Sequence, residues 1–259
     1  MNTQVLEAKQ QEVASRVIAE EEAKRPHLVI ALSGAHAYGF PSPDSDLDLK
    51  AVHVEPTEKL LGLLRSGASP TRMEVIDGVE IDYTSNEIHP VLLGVLQGNG
   101  NYIERILGPL QLHVDPDLAS LRPLVAAALS RRVFRHYVGF ATSQLRAWET
   151  EGRTSAKKLL YVLRTTLTGA HALRTGEIVT DVTALLDLYG FSAARELVEA
   201  KRAGEQAALA PETAARWAEQ VSRAFTTLEA AHDRAVLPEE PSNTHELNDW
   251  LLALRKARL

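Results

Sequence analysis

The first half of the chain alternates short apolar runs with turn-forming segments, which is typical of a mixed α/β domain. Strands are predicted at residues 27–32, 46–54, 71–76 and 79–84. Helices are predicted at residues 2–24, 57–64, 86–97 and 102–107. Asp77-Gly78 separates the last two strands and is a strong hairpin signal. Residues 33–43, rich in glycine, proline and serine, are expected to form a loop.

From Asp115-Pro116 onwards the pattern is helical almost to the end of the chain. The predicted helices cover residues 117–129, 132–150, 155–175, 181–189, 193–203, 211–232 and 244–257. Asn243 and Glu246 have the spacing of a capping box at the start of the last helix. The chain is therefore predicted to have an α/β (α+β) fold. A small mixed sheet flanked by helices occupies residues 1–115, and an all-α helical domain occupies residues 116–259.

Composition restricts the chemistry. The chain has no cysteine, which excludes disulfides, thiolate metal sites and cysteine nucleophiles and fits a reducing compartment. Apolar residues make up 45% of the chain, but no run approaches the roughly 20 needed to cross a bilayer. The polar N-terminal segment lacks the apolar stretch of a signal peptide. We therefore expect a soluble, cytoplasmic protein without a membrane partner.

Charge is distributed unevenly along the chain. The net charge is −6, yet residues 131–174 contain nine Lys or Arg and two Glu, which makes that segment +7 and the remainder −13. Such a basic segment in an acidic protein indicates a local anion site, and a solvated helix face is the alternative interpretation.

Two carboxylates follow the glycine-containing segment. Asp46 and Asp48 alternate with Leu47 along a predicted strand, so they share one face with Lys50. Crowded carboxylates repel each other unless a cation lies between them, and hard oxygen ligands favour Mg²⁺ or Mn²⁺. The spacing therefore predicts a magnesium (or manganese) site.

Two further features lie near this pair, a candidate phosphate-binding turn and a candidate third carboxylate. Together with the pair they form the arrangement that nucleotidyl transfer requires. Ser33-Gly34-Ala35 follows the first buried strand, and the missing Cβ of Gly34 lets backbone N–H groups approach a phosphate. Asp82, on the second hairpin strand, is the candidate third carboxylate, and Glu80 is the fallback.

These motifs resemble those of a known family. Ser33-Gly-Ala-His-Ala-Tyr-Gly39 and Pro43-Asp-Ser-Asp-Leu-Asp48 resemble the signature of the DNA polymerase beta-like nucleotidyltransferase superfamily. The similarity is closest to the RNA repair ligase-associated nucleotidyltransferase family. It continues through residues 98–104 and 157–164 and spans roughly residues 27–175.

The resemblance implies a metal-dependent transferase with a helical C-terminal half, in which Asp46 and Asp48 are metal ligands and Asp82 stands where the third carboxylate belongs. It implies that an NTP, ATP among them, donates its nucleotidyl group to a hydroxyl acceptor and releases pyrophosphate. Family context suggests RNA, including tRNA, as the acceptor.

One position departs from the family pattern, which has Gly-Ser where this chain has Gly34-Ala35. The hydroxyl of Ser33 or Ser45 would have to replace the missing phosphate contact, or the backbone N–H would act alone. One hydrogen bond to a charged group is worth about 1.5–3 kcal/mol, so the change would weaken nucleotide binding without abolishing it.

A basic helix supplies further candidates for nucleotide contact. Lys157, Tyr161 and Arg164 share one helix face with Lys158 beside them, which predicts contacts to the β- and γ-phosphates. Tyr38, in the glycine-containing segment, is a candidate for stacking on a base, and packing within the loop is the alternative interpretation.

Three alternatives remain open at this point. The replacement of serine by Ala35 is compatible with a catalytically weak or inactive nucleotide or RNA sensor. A protein-modifying, AMPylating transferase would use the same residues on a side-chain hydroxyl. Arg131–His136 and Arg164–His171 match the Arg-x(4–6)-His pattern of HEPN ribonucleases, although two matches in an arginine-rich helical region are unremarkable.

Overall fold

A mixed β-sheet organises the N-terminal half of the protein. The computed structural model describes residues 5–63, 69–204 and 208–259. Within them the sheet has five strands in the order β3-β4-β2-β1-β5, with β2 and β4 parallel and all other neighbours antiparallel. The strands are β1 (His27–Leu32), β2 (Leu47–His53), β3 (Thr71–Ile76), β4 (Val79–Glu87) and β5 (Gln111–Val114). The predicted α/β fold with a small mixed sheet is confirmed.

Helices flank the sheet and fill the C-terminal half. They are α1 (Ala8–Glu22), α2 (Gly34–Tyr38), α3 (Thr57–Leu61), α4 (Ile88–Leu96), α5 (Gly100–Leu107), α6 (Leu118–Ala127), α7 (Val133–Thr150), α8 (Ala156–Thr175), α9 (Thr183–Leu186), α10 (Arg195–Arg202), α11 (Pro211–Asp233) and α12 (Thr244–Ala257). A 3₁₀ turn, Ser192–Ala194, precedes α10. Residues 2–4 and 64 of the predicted helices lie outside the described residues.

Packing divides the chain into two units. The sheet unit contains Met1–His36, Asp46–Ala128 and Pro241–Leu259, and the helical unit contains Ala37–Ser45 and Leu129–Glu240. The C-terminal helix α12 therefore packs in the sheet unit, where the Thr57 hydroxyl donates to the carbonyl of Arg255 at 2.9 Å. Separate domains at residues 1–115 and 116–259 stay a prediction.

The core of the sheet unit follows from strand alternation. Leu47, Leu49 and Ala51 of β2 are fully buried, whereas Asp48 and Lys50, which alternate with them, are half-buried. The buried side chains pack with Val13 and Val17 of α1 in one apolar cluster. One face of β2 is therefore committed to the core, and the opposite face carries the polar side chains.

Several local predictions differ from the structure. Residues 34–38 of the expected loop form the short helix α2, and β5 was not predicted because its four residues include Gln111 and His113. β4 continues to Glu87 because it pairs with all of β2 from Leu47 to His53, although Ser85-Asn86-Glu87 has low strand propensity. Asn243 precedes α12 without a side-chain cap, since its Nδ2 donates instead to the carbonyl of Leu124 at 2.8 Å.

The helical unit is built around α8. This helix packs against α7, α10 and α11, and its side chains are buried over most of its length. Ser155 caps its start by accepting from the N–H of Lys158, and Gly176 ends it with a φ of +78°. Among the described residues, no helix is both long and apolar enough to cross a membrane.

Buried histidines form a polar network within the sheet unit. His27 and His53 pair across β1 and β2, and both side chains are buried. The Nε2 of His27 lies 2.7 Å from the Tyr83 hydroxyl, and the Nδ1 of His53 lies 2.7 Å from the Ser85 hydroxyl. Burial, together with the nearby His53, lowers the pKa of His27 to about 3, and burial also lowers the pKa of His53. Both rings are therefore neutral at pH 7.

These histidines make the stability of the sheet unit depend on pH. The pKa of His27 falls from 6.5 to about 3 on folding. Its contribution to the free energy of unfolding is therefore fully present above pH 6.5 and is lost as the pH falls towards 3. We expect His27→Gln to reduce the slope of unfolding free energy against pH by about 1 kcal/mol per pH unit between pH 6 and 5. Urea unfolding at pH 7, 6 and 5 measures this slope. An unchanged slope in His27→Gln, or an equal reduction in a variant of the exposed His245, His245→Gln, contradicts the assignment.

Candidate functional site

Asp48 and Asp82 lie opposite each other on neighbouring parallel strands. The register of β2 and β4 pairs Asp48 directly with Asp82 and runs without interruption to His53 and Glu87. Paired residues of parallel strands project to the same side of the sheet. Both carboxylates therefore project from the face opposite the apolar core. Their side chains remain 24% and 36% exposed. The structure thus brings two of the three predicted carboxylates together.

A lysine ammonium lies between these two carboxylates. Lys50 is two residues after Asp48 on β2, and its Nζ lies 2.8 Å from Asp82 Oδ2 and 3.6 Å from Asp48 Oδ1. The same nitrogen donates to the backbone carbonyl of Asp82 at 3.4 Å. The positive charge offsets the repulsion expected between two adjacent carboxylates. The sequence placed Lys50 on this face but did not predict its contacts.

The start of α2 packs against Asp48. Gly34 has a φ of +62°, and a Cβ at this position would overlap Asp48 Oδ2 and lie 2.7 Å from Cγ. The N–H of the half-buried Ser33 donates to the carbonyl of Asp48 at 2.9 Å. Glycine is therefore required here both for its backbone conformation and for the space that the carboxylate occupies. Ala35, the next residue, is buried within α2.

Asp46 is placed differently from the other two carboxylates. It precedes the first residue of β2 and is half-buried. Within the part of the chain that the structure describes, no three or more His, Asp or Glu side chains are grouped closely enough to hold a metal ion. A metal site formed by Asp46, Asp48 and Asp82 stays a prediction, and in this structure the ammonium of Lys50 lies between the last two.

The Asp48–Asp82 pair nevertheless has the chemistry that a divalent metal requires. Both residues offer hard carboxylate oxygens from rigid, hydrogen-bonded strands, which is the donor type that Mg²⁺ and Mn²⁺ prefer. The pair already attracts one cation, the ammonium of Lys50. The residues present therefore fit the metal that was predicted from the sequence.

An aromatic cluster in the helical unit contains three of the predicted nucleotide-contacting residues. The rings of Tyr38 and Tyr161 meet edge to face with centroids 5.6 Å apart, and Phe40 lies against both. The guanidinium of Arg164 lies over the Tyr38 ring, 3.8 Å from its centroid. Because Arg164 is 2% exposed, it is not part of a solvated basic face.

The two predicted lysines lie at the start of α8. Lys157 and Lys158 are both half-buried. Lys158 forms an ion pair with Glu151, and its backbone N–H is bound by the Ser155 cap. Contacts of Lys157, Lys158, Tyr161 and Arg164 with phosphate stay predictions.

A buried lysine that sequence reasoning missed contacts the segment before Asp46. Lys201 of α10 is 1% exposed, and its Nζ donates to the hydroxyls of Ser42 and Ser45 at 2.5 and 3.3 Å. The Ser45 hydroxyl also accepts from the N–H of Ser42 at 2.9 Å. The signal was present in the sequence, because Lys201 follows Leu197 by four residues on the apolar face of α10.

The arginine–histidine pairs of the HEPN pattern are part of the packing of the helical unit. The guanidinium of Arg131 donates to the carbonyls of Leu237 and Ala235 at 3.2 and 3.3 Å. Burial, with the nearby Arg164, lowers the pKa of His136 to about 4. The guanidinium of Arg131 and the ring of His136 are thus held within the packed helical unit, and their contacts add no support to a ribonuclease.

The contact between Gly34 and Asp48 predicts the effect of adding one methyl group. Gly34→Ala has to strain a positive φ and also move the Asp48 carboxylate, whereas Gly78→Ala strains a similar φ of +80° with its Cβ in ordinary van der Waals contact with the Lys9 ammonium, 3.7 Å away. We expect Gly34→Ala to cost about 1–3 kcal/mol more than Gly78→Ala. Chemical denaturation of both variants measures the difference. Equal losses of stability would show that Asp48 is not held against Gly34.

Comparison with known proteins identifies a family. Residues 6–253 match the model of the RlaP family, the RNA repair pathway DNA polymerase beta family. The uncharacterized protein MJ0002 of Methanocaldococcus jannaschii is 28% identical over 178 residues, which cover 67% of this chain and 72% of that protein. A solved structure of a nucleotidyltransferase-like protein from Exiguobacterium sibiricum 255-15 is 12% identical with a TM-score of 0.33, covering 95% of this chain and 80% of its own. That structural similarity is too remote to support any conclusion about this chain.

The family match covers nearly the whole chain, including the strands that carry Asp48 and Asp82 and the helical unit. It confirms the resemblance read from residues 33–48. The chain belongs to the RNA repair pathway DNA polymerase beta family and is a nucleotidyltransferase.

Proposed function

We propose that this protein transfers a nucleotidyl group from an NTP to a hydroxyl acceptor in the presence of Mg²⁺ or Mn²⁺. The acceptor oxygen attacks the α-phosphorus, and a new oxygen–phosphorus bond forms. The bond from the α-phosphorus to the oxygen that bridges it to the β-phosphorus breaks. Pyrophosphate leaves with that electron pair, and the hydroxyl proton passes to a carboxylate base.

The observation that carries the proposal is the pairing of Asp48 with Asp82. Two carboxylates held in register on adjacent parallel strands present their oxygens to one point, beside the backbone turn at Gly34. Family membership supports the same interpretation, because nucleotidyl transfer is the reaction of this family.

Asp48 and Asp82 are the residues that would hold the metal. When bound, such a metal neutralises phosphate charge and makes a coordinated hydroxyl more acidic. Asp82 is the more exposed of the two side chains, at 36% against 24% for Asp48, and we assign it as the base that receives the acceptor proton. Asp46, which immediately precedes β2, is the third residue that we propose as a ligand of the same metal.

The acceptor we propose is a hydroxyl at an RNA end, tRNA included. The support is the description of the family as an RNA repair pathway family, and no individual residue carries it. The predicted triphosphate contacts of Ser33, Ser45, Lys157, Lys158, Tyr161 and Arg164, and the stacking of Tyr38 on a base, are proposals of the same kind.

Loss of either paired carboxylate is expected to abolish turnover. Asp48→Asn and Asp82→Asn each remove a metal-binding charge while keeping the side-chain volume, so pyrophosphate release should fall by about a hundredfold or more. Glu80→Gln, which changes an exposed residue on the same strand, should change the rate less than about twofold. The assay combines each labelled NTP, Mg²⁺ and a mixed RNA pool.

The distribution of label decides between the possible acceptors. Label on RNA, lost in Asp48→Asn, supports the proposal. Label on protein indicates an AMPylating transferase that uses the same carboxylates. Full activity of Asp82→Asn with loss in Glu80→Gln would transfer the third-carboxylate role to Glu80.

A nucleotide or RNA sensor is the second candidate function, and the alanine at position 35, where the family pattern has serine, is the observation that favours it. Ala35 is 6% exposed inside α2, at the position where the family pattern has a serine hydroxyl. A missing phosphate contact at that position would weaken transition-state binding more than it weakens the fold.

Restoring the hydroxyl tests the sensor directly. Ala35→Ser is expected to tighten NTP binding by about tenfold, the equivalent of one hydrogen bond to a charged phosphate. Ala37→Ser, at another buried position of α2, is the matched control and should leave binding unchanged. Calorimetric titration gives the affinity, and pyrophosphate release gives turnover. NTP binding by the wild type without turnover, with turnover appearing in Ala35→Ser, would establish the sensor.

A further inference from the structure

We propose that Lys50 is a built-in counter-ion of the Asp48–Asp82 pair and that a divalent metal binds this pair only by displacing the Lys50 ammonium. The inference rests on the proposed function in one respect, namely that Asp48 and Asp82 are metal ligands. It adds Lys50 as a positioning residue, whose ammonium occupies the site when the metal is absent and leaves it when the metal binds.

The geometry places Lys50 inside the site and not at its edge. Asp48 and Lys50 are alternate residues of β2 and project to the same face, and Asp82 lies directly across from Asp48. The Lys50 side chain folds back along this face, so that its Nζ contacts a carboxylate oxygen of Asp82 at 2.8 Å and the Asp82 carbonyl at 3.4 Å. The Asp48 carboxylate lies 3.6 Å away on the other side.

An ammonium and a divalent metal cannot share this position. A magnesium ion binds carboxylate oxygens at about 2.1 Å, so a metal held by both residues would lie where the ammonium now contacts them. The two cations would repel each other strongly at that separation. The Lys50 side chain is only 18% exposed, so solvent screens this repulsion less than it would at an open surface.

A lysine is suited to this exchange. Its flexible four-carbon stem allows the ammonium to rotate out of the site, and its point charge makes no fixed bidentate contact that would have to be broken in one step. In the absence of metal, Lys50 keeps two mutually repelling carboxylates assembled. In its presence, the released ammonium is free to reach solvent or a bound anion.

The first experiment measures Mn²⁺ affinity and stability together. Lys50→Met removes the competing charge, so we expect Mn²⁺ to bind about tenfold tighter than to the wild type. Without metal the variant should be less stable than the wild type, and saturating Mn²⁺ should close that difference. Lys59→Met, which removes an exposed lysine of α3, should leave Mn²⁺ affinity unchanged, and Asp48→Asn should abolish binding.

The second experiment detects displacement in the wild-type protein and does not depend on a variant folding. Amine acylation followed by mass spectrometry gives the labelling rate of Lys50 relative to Lys59 with and without Mg²⁺. Release of the ammonium should raise the relative rate of Lys50 several-fold on addition of Mg²⁺. An unchanged rate at saturating Mg²⁺ would contradict displacement.

The outcomes separate this inference from the proposed function. Equal or weaker Mn²⁺ binding by Lys50→Met, with binding still lost in Asp48→Asn, overturns the role of Lys50 and leaves the metal site intact. Absence of Mn²⁺ binding in both the wild type and Lys50→Met overturns the metal site and the role of Lys50 together. Binding that is detectable only in Lys50→Met supports competition by the ammonium.

Discussion

The site depends on one structural constraint, the parallel pairing of β2 with β4. Backbone hydrogen bonds along seven residue pairs fix Asp48 opposite Asp82, and a slip by one residue would send one carboxylate into the apolar core. The same alternation that buries Leu47 and Leu49 under α1 therefore holds both acidic side chains on the other face. Lys50 is the next side chain along this face, which is why its ammonium reaches the pair. The same strand register therefore determines both the apolar core of the sheet unit and the position of its acidic pair.

In the helical unit, buried charges are used to hold a loop and an aromatic cluster. The ammonium of Lys201 is fully buried and bound to the hydroxyls of Ser42 and Ser45, and the guanidinium of Arg164 is buried against Tyr38. Burying a charge is costly unless polar or aromatic groups compensate it, so these contacts restrict the conformations of residues 38–45. That segment immediately precedes Asp46 in the sequence.

The sequence predicted elements better than contacts. Strong periodicity placed β1, β3 and α12 with the correct bounds, and alternation placed Asp48 on the polar face of β2. The Asp77-Gly78 turn predicted the antiparallel pairing of β3 with β4, but the partner of β2 could not be predicted, because nothing local specifies that β4 runs parallel to β2 or continues to Glu87. The contacts of Lys50 could not be predicted either. Its ammonium lies between Asp48 and Asp82, and this position results from tertiary packing and not from sequence spacing.

Anomalous diffraction from crystals grown with Mn²⁺ and a non-hydrolysable NTP analogue tests the metal site most directly, because the signal locates the ion without assuming its ligands. The paired carboxylates predict a manganese peak within coordinating distance, about 2.2 Å, of oxygens from both Asp48 and Asp82, with the Lys50 ammonium moved away. A manganese peak elsewhere would contradict the proposed metal site. The Lys50 ammonium still lying between the two carboxylates at full manganese occupancy would contradict its displacement.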